Sequence, residues 1–136
     1  MMLALRSKMN KKGFTLVEVI VVLVILAILA AILVPSMIGW IDKANQKAAV
    51  VEGRTILVAA QTIVSENYAT YTGASAATAL STTHEGDAET LANVGASITT
   101  GSVTITGGQV TAFTMTDSSG KYTVTYSGGN FAVTNA

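Results

Sequence analysis

Hydrophobic and polar positions divide this chain into stretches with different periods. Residues 19–41 carry no charge and a single hydroxyl, Ser36, so no face of a helix built from them would differ much from any other. At about 1.5 Å of rise per residue these 23 residues span roughly 35 Å as a helix, enough to cross a bilayer. An isolated strand would leave its backbone unsatisfied in hydrocarbon, so helix is the predicted state.

After Ile41 the pattern changes. Asp42, Lys43, Gln46, Lys47, Glu52, Arg54, Gln61 and Glu66 are interspersed with Ala44, Ala48, Val51, Ile56, Ala59, Ile63 and Val64 at helical spacing. The helix is therefore expected to continue as an amphipathic segment over residues 42–66. Its apolar face is broad enough to meet a sheet on one side and neighbouring helices on another. Residues 67–101 have weak periodicity and read as a connecting surface loop, with residues 87–94 the best candidate for a short helix.

From Ser102 onward the period becomes two. Val103 and Ile105 mark one strand, and Val110, Ala112, Phe113 and Met115 a second whose phase shift predicts a bulge. Tyr122, Val124 and Tyr126 mark a third, and Phe131 and Val133 a fourth. Gly107-Gly108, Asp117-Ser118-Ser119-Gly120 and Gly128-Gly129 supply the turns. The expected fold class is α+β: a long N-terminal helix, transmembrane over residues 14–41, packed against an antiparallel sheet of three or four strands in residues 102–136.

Charge adds direction. The formal net charge is zero, yet Arg6, Lys8, Lys11 and Lys12 precede the apolar span with no acid among them. From Phe14 onward there are four basic and eight acidic side chains. A basic leader favours retention on the cytoplasmic side of a membrane. The rest carries no basic surface suited to nucleic acid. With no cysteine, a disulfide scaffold and a thiolate metal site are both excluded.

A removed secretion signal would place its small residues after the apolar region, and Ala27, Ala30 and Ala31 lie within it. An uncleaved single-span anchor is the other ordinary reading. The attractive cut is instead between Gly13 and Phe14, where it removes residues 1–13 with their charges and preserves the helix. Glu18 is the outlier, because a carboxylate in hydrocarbon is costly unless it is paired or reaches the interface. Pro35 and Gly39 weaken the helix and predict a bend or a local relaxation.

Lys12-Gly13-Phe14-Thr15-Leu16-Val17-Glu18, the apolar run and Pro35 closely resemble the N-terminus of type IV pilins and the related pseudopilins. The resemblance implies that a prepilin peptidase cuts after Gly13 and commonly methylates the new amine of Phe14. It implies that Glu18 pairs with the Phe14 amine of an adjacent subunit in a homo-oligomeric helical filament, and that residues upstream of Pro35 partly unwind there. The implied partners are an assembly platform, a separate motor ATPase and minor pilins. The implied location is a single-pass inner or cytoplasmic membrane protein before assembly and an extracellular pilus afterwards. A structural pilin for adhesion, aggregation or motility is the favoured reading. The alternative is the major pseudopilin of a type II secretion or DNA-uptake system, although Asp117 with Ser118 and Ser119 fits poorly the acidic calcium loop of some such proteins.

Nothing in the sequence advertises catalysis or a cofactor. The lone His84 specifies no triad, and no glycine-rich nucleotide loop precedes a lysine-bearing helix. His84, Glu85, Asp87 and Glu89 match no metal-binding spacing and are expected in a solvated loop. The aromatic residues Tyr68, Tyr71, Phe113, Tyr122, Tyr126 and Phe131 are expected in the core or in subunit contacts. The threonine-rich outer strands suit lateral packing or polar contacts, and strand propensity is a simpler reason for them.

Overall fold

The computed structural model describes residues 13–71 and 78–136. The chain forms two compact units, divided between Asp42 and Lys43. Helix α1 (Leu16–Glu66) runs through that division. It is followed by α2 (Tyr68–Tyr71), β1 (Thr78–Ala79), α3 (Thr82–Ala92), β2 (Ser97–Ile98), β3 (Thr104–Thr106), β4 (Gln109–Thr116), β5 (Tyr122–Ser127) and β6 (Asn130–Asn135). The first unit contributes the apolar part of α1, with every residue from 13 to 42 exposed.

In the second unit α1 buries Ala49, Gly53, Ile56, Ala59, Ala60, Ile63 and Val64, a stripe at the three- and four-residue spacing of one helical face. The stripe differs from the expected one at its start. Ala44, Ala48 and Val51 are exposed, and Ala49 with Gly53 faces inward instead. Small residues there allow close approach: a Cβ on Gly53 would lie 3.1 Å from a Val124 methyl and 3.2 Å from the Phe131 ring. Phe113, Ile56, Ile105, Met115, Val64, Val103 and Val124 form the fully buried centre. Phe113, Tyr126 and Phe131 pack as an aromatic cluster with centroids 4.9–6.3 Å apart.

The sheet is antiparallel, with the order β1-β3-β4-β5-β6 and β2 pairing with β4. Among the described residues it has six strands where three or four were expected. The four expected strands are β3 to β6. The two additional ones are two-residue strands too short to produce an alternation in the sequence. The predicted bulge is present: Thr104 pairs with Ala112 while Ile105 pairs with Val110, leaving Thr111 extra. Gly107 and Gly108 have φ of 59° and 77°, and Gly128 and Gly129 have 56° and 90°. Those values are what a two-residue type I′ hairpin turn demands.

The connecting region is more ordered than its composition suggests. The short helix begins at Thr82, earlier than expected, because the Ser81 hydroxyl caps it by accepting the His84 amide at 3.3 Å. It stops at Asn93, whose φ of 49° is the left-handed conformation that ends many helices. Leu80 donates its amide to the Val103 carbonyl at 2.9 Å and is itself buried.

Candidate functional site

The segment marked out by the sequence begins with Gly13, Phe14 and Thr15, which precede α1. The leader residues before Gly13 lie outside the described residues. Thr15 caps the helix: the Glu18 amide donates to Thr15 Oγ1 at 3.2 Å, and the Val19 amide donates to the Thr15 carbonyl at 3.2 Å. Thr15 and Glu18 have the spacing of a capping box, a signal visible in the sequence itself. The cap fixes Glu18 in the first turn of α1, where the positive end of the helix dipole favours a carboxylate.

Phe14, Glu18, Val19, Val22 and Leu23 line one depression of about 250 Å³. Phe14 and Glu18 of one chain thus border the same depression, whereas the pairing expected of Glu18 is with the Phe14 amine of an adjacent subunit. Beyond them, the most apolar 18-residue window of α1 has none of its residues buried. An exposed apolar surface of this extent marks a membrane or protein contact. Trp40, 75% exposed near the end of the span, has the amphipathic ring favoured at a membrane boundary. It was overlooked in the sequence because it neither breaks the apolar run nor carries charge.

Pro35 lies inside α1, and residues 27–34 are helical in this isolated chain. Proline has no amide hydrogen, so the Ala31 carbonyl lacks its usual helical donor. The neighbouring Ser36 hydroxyl donates to the Leu33 carbonyl at 2.8 Å. A Cβ on Gly39 would meet nothing within 4 Å, leaving that side open to close approach.

The residues of the second unit considered for cation binding do other work. Glu85 is buried, contrary to the expected solvated loop. Both its oxygens accept the Gly101 amide at 3.0 Å, and one also accepts the Val103 amide at 3.5 Å. Glu89 accepts the Ile98 amide at 2.5 Å and the Ser97 hydroxyl at 3.3 Å. His84 Nδ1 lies 2.5 Å from the hydroxyl of buried Tyr71, while Asp87 is exposed. Among the described residues no group of three or more His, Cys, Asp or Glu side chains is placed to hold a metal ion.

Asp117 is buried at the β4–β5 turn and accepts the Tyr122 amide at 2.8 Å, the Ser119 amide at 3.1 Å and the Ser119 hydroxyl. Desolvation pushes its pKa up, but the Ser119 hydroxyl and the amides of Tyr122, Ser119 and Lys121 together outweigh it. The net shift is downward from the ordinary 3.8. The next residue, Ser118, donates its amide to Glu52 at 2.8 Å and its hydroxyl at 2.6 Å, tying the turn to α1.

Residues 8–34 match the family profile described as the prokaryotic N-terminal methylation motif. The match takes in the Gly13-Phe14 junction, the Thr15 cap, Glu18 and the apolar start of α1, and it ends just before Pro35. No curated protein and no solved structure matches the chain.

Proposed function

We infer, from a chain that its methylation motif marks as type IV prepilin-like, that the protein is the repeating structural subunit of a type IV pilus. The motif implies processing by a prepilin peptidase and assembly of the pilus type in general. The observation that supports this reading is the exposed N-terminal part of α1, uncharged over residues 19–41 and preceded by one carboxylate, Glu18, in the first turn. Such a helix needs lipid or other helices around it throughout.

In this reading the peptidase cuts between Gly13 and Phe14, releasing Arg6, Lys8, Lys11 and Lys12, and Phe14 becomes an N-methylated amine. The mature chain waits as a single-pass protein of the inner or cytoplasmic membrane. On assembly the side chains of residues 19–41 exchange lipid for neighbouring helices, and Glu18 meets the Phe14 amine of the adjacent subunit. Two unit charges about 4 Å apart attract by about 1 kcal/mol in water and about 4 kcal/mol at an effective dielectric near 20. The pair therefore gains most inside the helical core, where it also removes the cost of an unpaired carboxylate. Pro35 and Gly39 let the helix adjust at the passage from the apolar segment to the outer one. The assembly platform, the motor ATPase and the minor pilins are separate proteins. In this reading the chain works as a structural unit, with no cofactor and no catalytic step.

Imaging of sheared native filaments, with mass analysis of their subunit, tests this reading. Long extracellular fibres built from a chain beginning at Phe14 are expected. Short envelope-spanning fibres, with loss of protein export on deletion of the chain, would assign it to the pseudopilins instead. Glu18→Ala is expected to preserve membrane insertion and cleavage while sharply reducing filament yield, measured by immunoblotting of sheared fractions. Undiminished yield would remove Glu18 from the mechanism.

A further inference from the structure

Among the described residues, strand β6 is an open edge of the sheet. In the β5–β6 hairpin, Ser127 pairs with Asn130, Thr125 with Ala132 and Thr123 with Thr134 around a two-residue turn. In such a hairpin the pair that closes the turn exchanges both backbone bonds, and bonded and non-bonded pairs then alternate. The amide of Ala136 donating to the Lys121 carbonyl at 2.9 Å continues that alternation. The backbone groups of Phe131, Val133 and Asn135 consequently point away from β5, along the free edge. Open edges are usually blunted by proline, charge, a bulge or brevity. Over its six residues β6 has no proline, no charge and no register shift, whereas the opposite edge, β1, is two residues long.

The flank of this edge is cationic. Lys43, Lys47, Val50 and Arg54 follow one another along α1 at four-, three- and four-residue steps, which places them on one face. Lys43, Gln46, Lys47 and Val50 line a groove of about 300 Å³ together with Val133. The Arg54 guanidinium lies 5.9 Å from the centre of the Phe131 ring. Three of the four basic side chains found after Gly13 thus border β6. On the same stretch of α1, Glu52 is engaged by Ser118.

We propose that β6 and the Lys47–Arg54 face of α1 form a strand-addition site for an extended acidic peptide segment of a partner protein. An added strand bonds to the outward groups of Phe131, Val133 and Asn135. Its alternate side chains fall on the α1 side, beside the cations. The site therefore selects acids at every second position. A second copy of this chain is disfavoured as the occupant, because pairing two β6 edges would bring two cationic stripes toward each other.

The test uses the full chain in non-ionic detergent and fluorescence anisotropy of a labelled seven-residue peptide alternating glutamate with valine. A peptide with lysine in place of glutamate is expected to bind at least about tenfold more weakly. Val133→Pro removes an outward amide and no β5–β6 bond, and is expected to weaken the glutamate peptide by at least about tenfold with unchanged circular dichroism. Lys47→Glu is expected to weaken the glutamate peptide and strengthen the lysine one. Equal binding of both peptides, or indifference to Val133→Pro, overturns the proposal. Efficient disulfide cross-linking of an Ala132→Cys variant to itself would make a second copy the occupant. Binding to anionic vesicles that is lost in Lys47→Glu, without peptide binding, would make the stripe a lipid contact. Either of these two results also overturns it.

Discussion

At the scale of single residues, this fold depends on positions that composition does not single out. Gly53 is the clearest, because its missing side chain sets how closely α1 approaches β5 and β6. Gly53→Val would drive a branched side chain into Val124 and Phe131, and overpacking of this kind costs about 1–3 kcal/mol. Chemical denaturation of the variant is expected to show a lowered midpoint of that size, although valine has the better helix propensity. Gln61 is a second such residue. Its amide nitrogen donates to the Gly108 carbonyl at 2.9 Å, and its oxygen accepts the Val110 amide at 2.9 Å. A side chain read from the sequence as part of a polar face thus binds the β3–β4 hairpin to α1, and the sequence carries no sign of that partner 49 positions away.

At the scale of elements, two carboxylates hold loops that hydrophobic packing alone would leave loose. Glu85 projects from α3 and satisfies the amides of Gly101 and Val103. Glu85→Ala leaves those amides without their acceptor, which costs about 1–3 kcal/mol. Hydrogen exchange is expected to report it as faster exchange at Gly101 and Val103. Asp117 acts similarly at the β4–β5 turn, and its lowered pKa gives that role a pH dependence. Since the folded value lies below the unfolded one, the stabilisation is complete above the ordinary carboxylate pKa and is lost as pH falls through the folded value. Asp117→Asn is therefore expected to be less stable than the parent at pH 7, with the gap closing as pH falls below the ordinary carboxylate range in parallel denaturation curves. The bulge in β4 was legible beforehand, because Val110 and Phe113 cannot share a face of a regular strand.

At the scale of the whole molecule, the two units have opposite solvent requirements. Residues 43–136 bury a core of their own, while the apolar part of α1 exposes large side chains throughout, among them Leu16 at 78% and Ile38 at 62%. Burying one such side chain completely is worth about 1.5–3 kcal/mol, so the full chain is expected to require detergent, lipid or self-assembly. A protein lacking residues 14–41 is expected to be soluble and monomeric in gel filtration with a cooperative thermal transition. Aggregation of that shortened protein in buffer would show that the outer unit depends on the apolar helix for its own folding.

Features that depend on local order were legible in the chain before it was folded. The apolar span, the charge imbalance, the Gly13-Phe14 junction with Glu18, the helix end at Glu66 and the four principal strands all follow from periodicity and neighbouring residue types. Helix and strand periods are properties of the backbone, and they survive without knowledge of distant partners. Tertiary structure alone decided which face of α1 meets the sheet, since Ala44 and Ala48 are as apolar as Ala49 and Ala60 but remain exposed. It also decided that Glu85 is buried, that two-residue strands complete the sheet, and that Lys43, Lys47 and Arg54 border an open edge. Each of these rests on a contact between residues far apart in the chain, and such contacts leave no trace in local hydrophobic pattern.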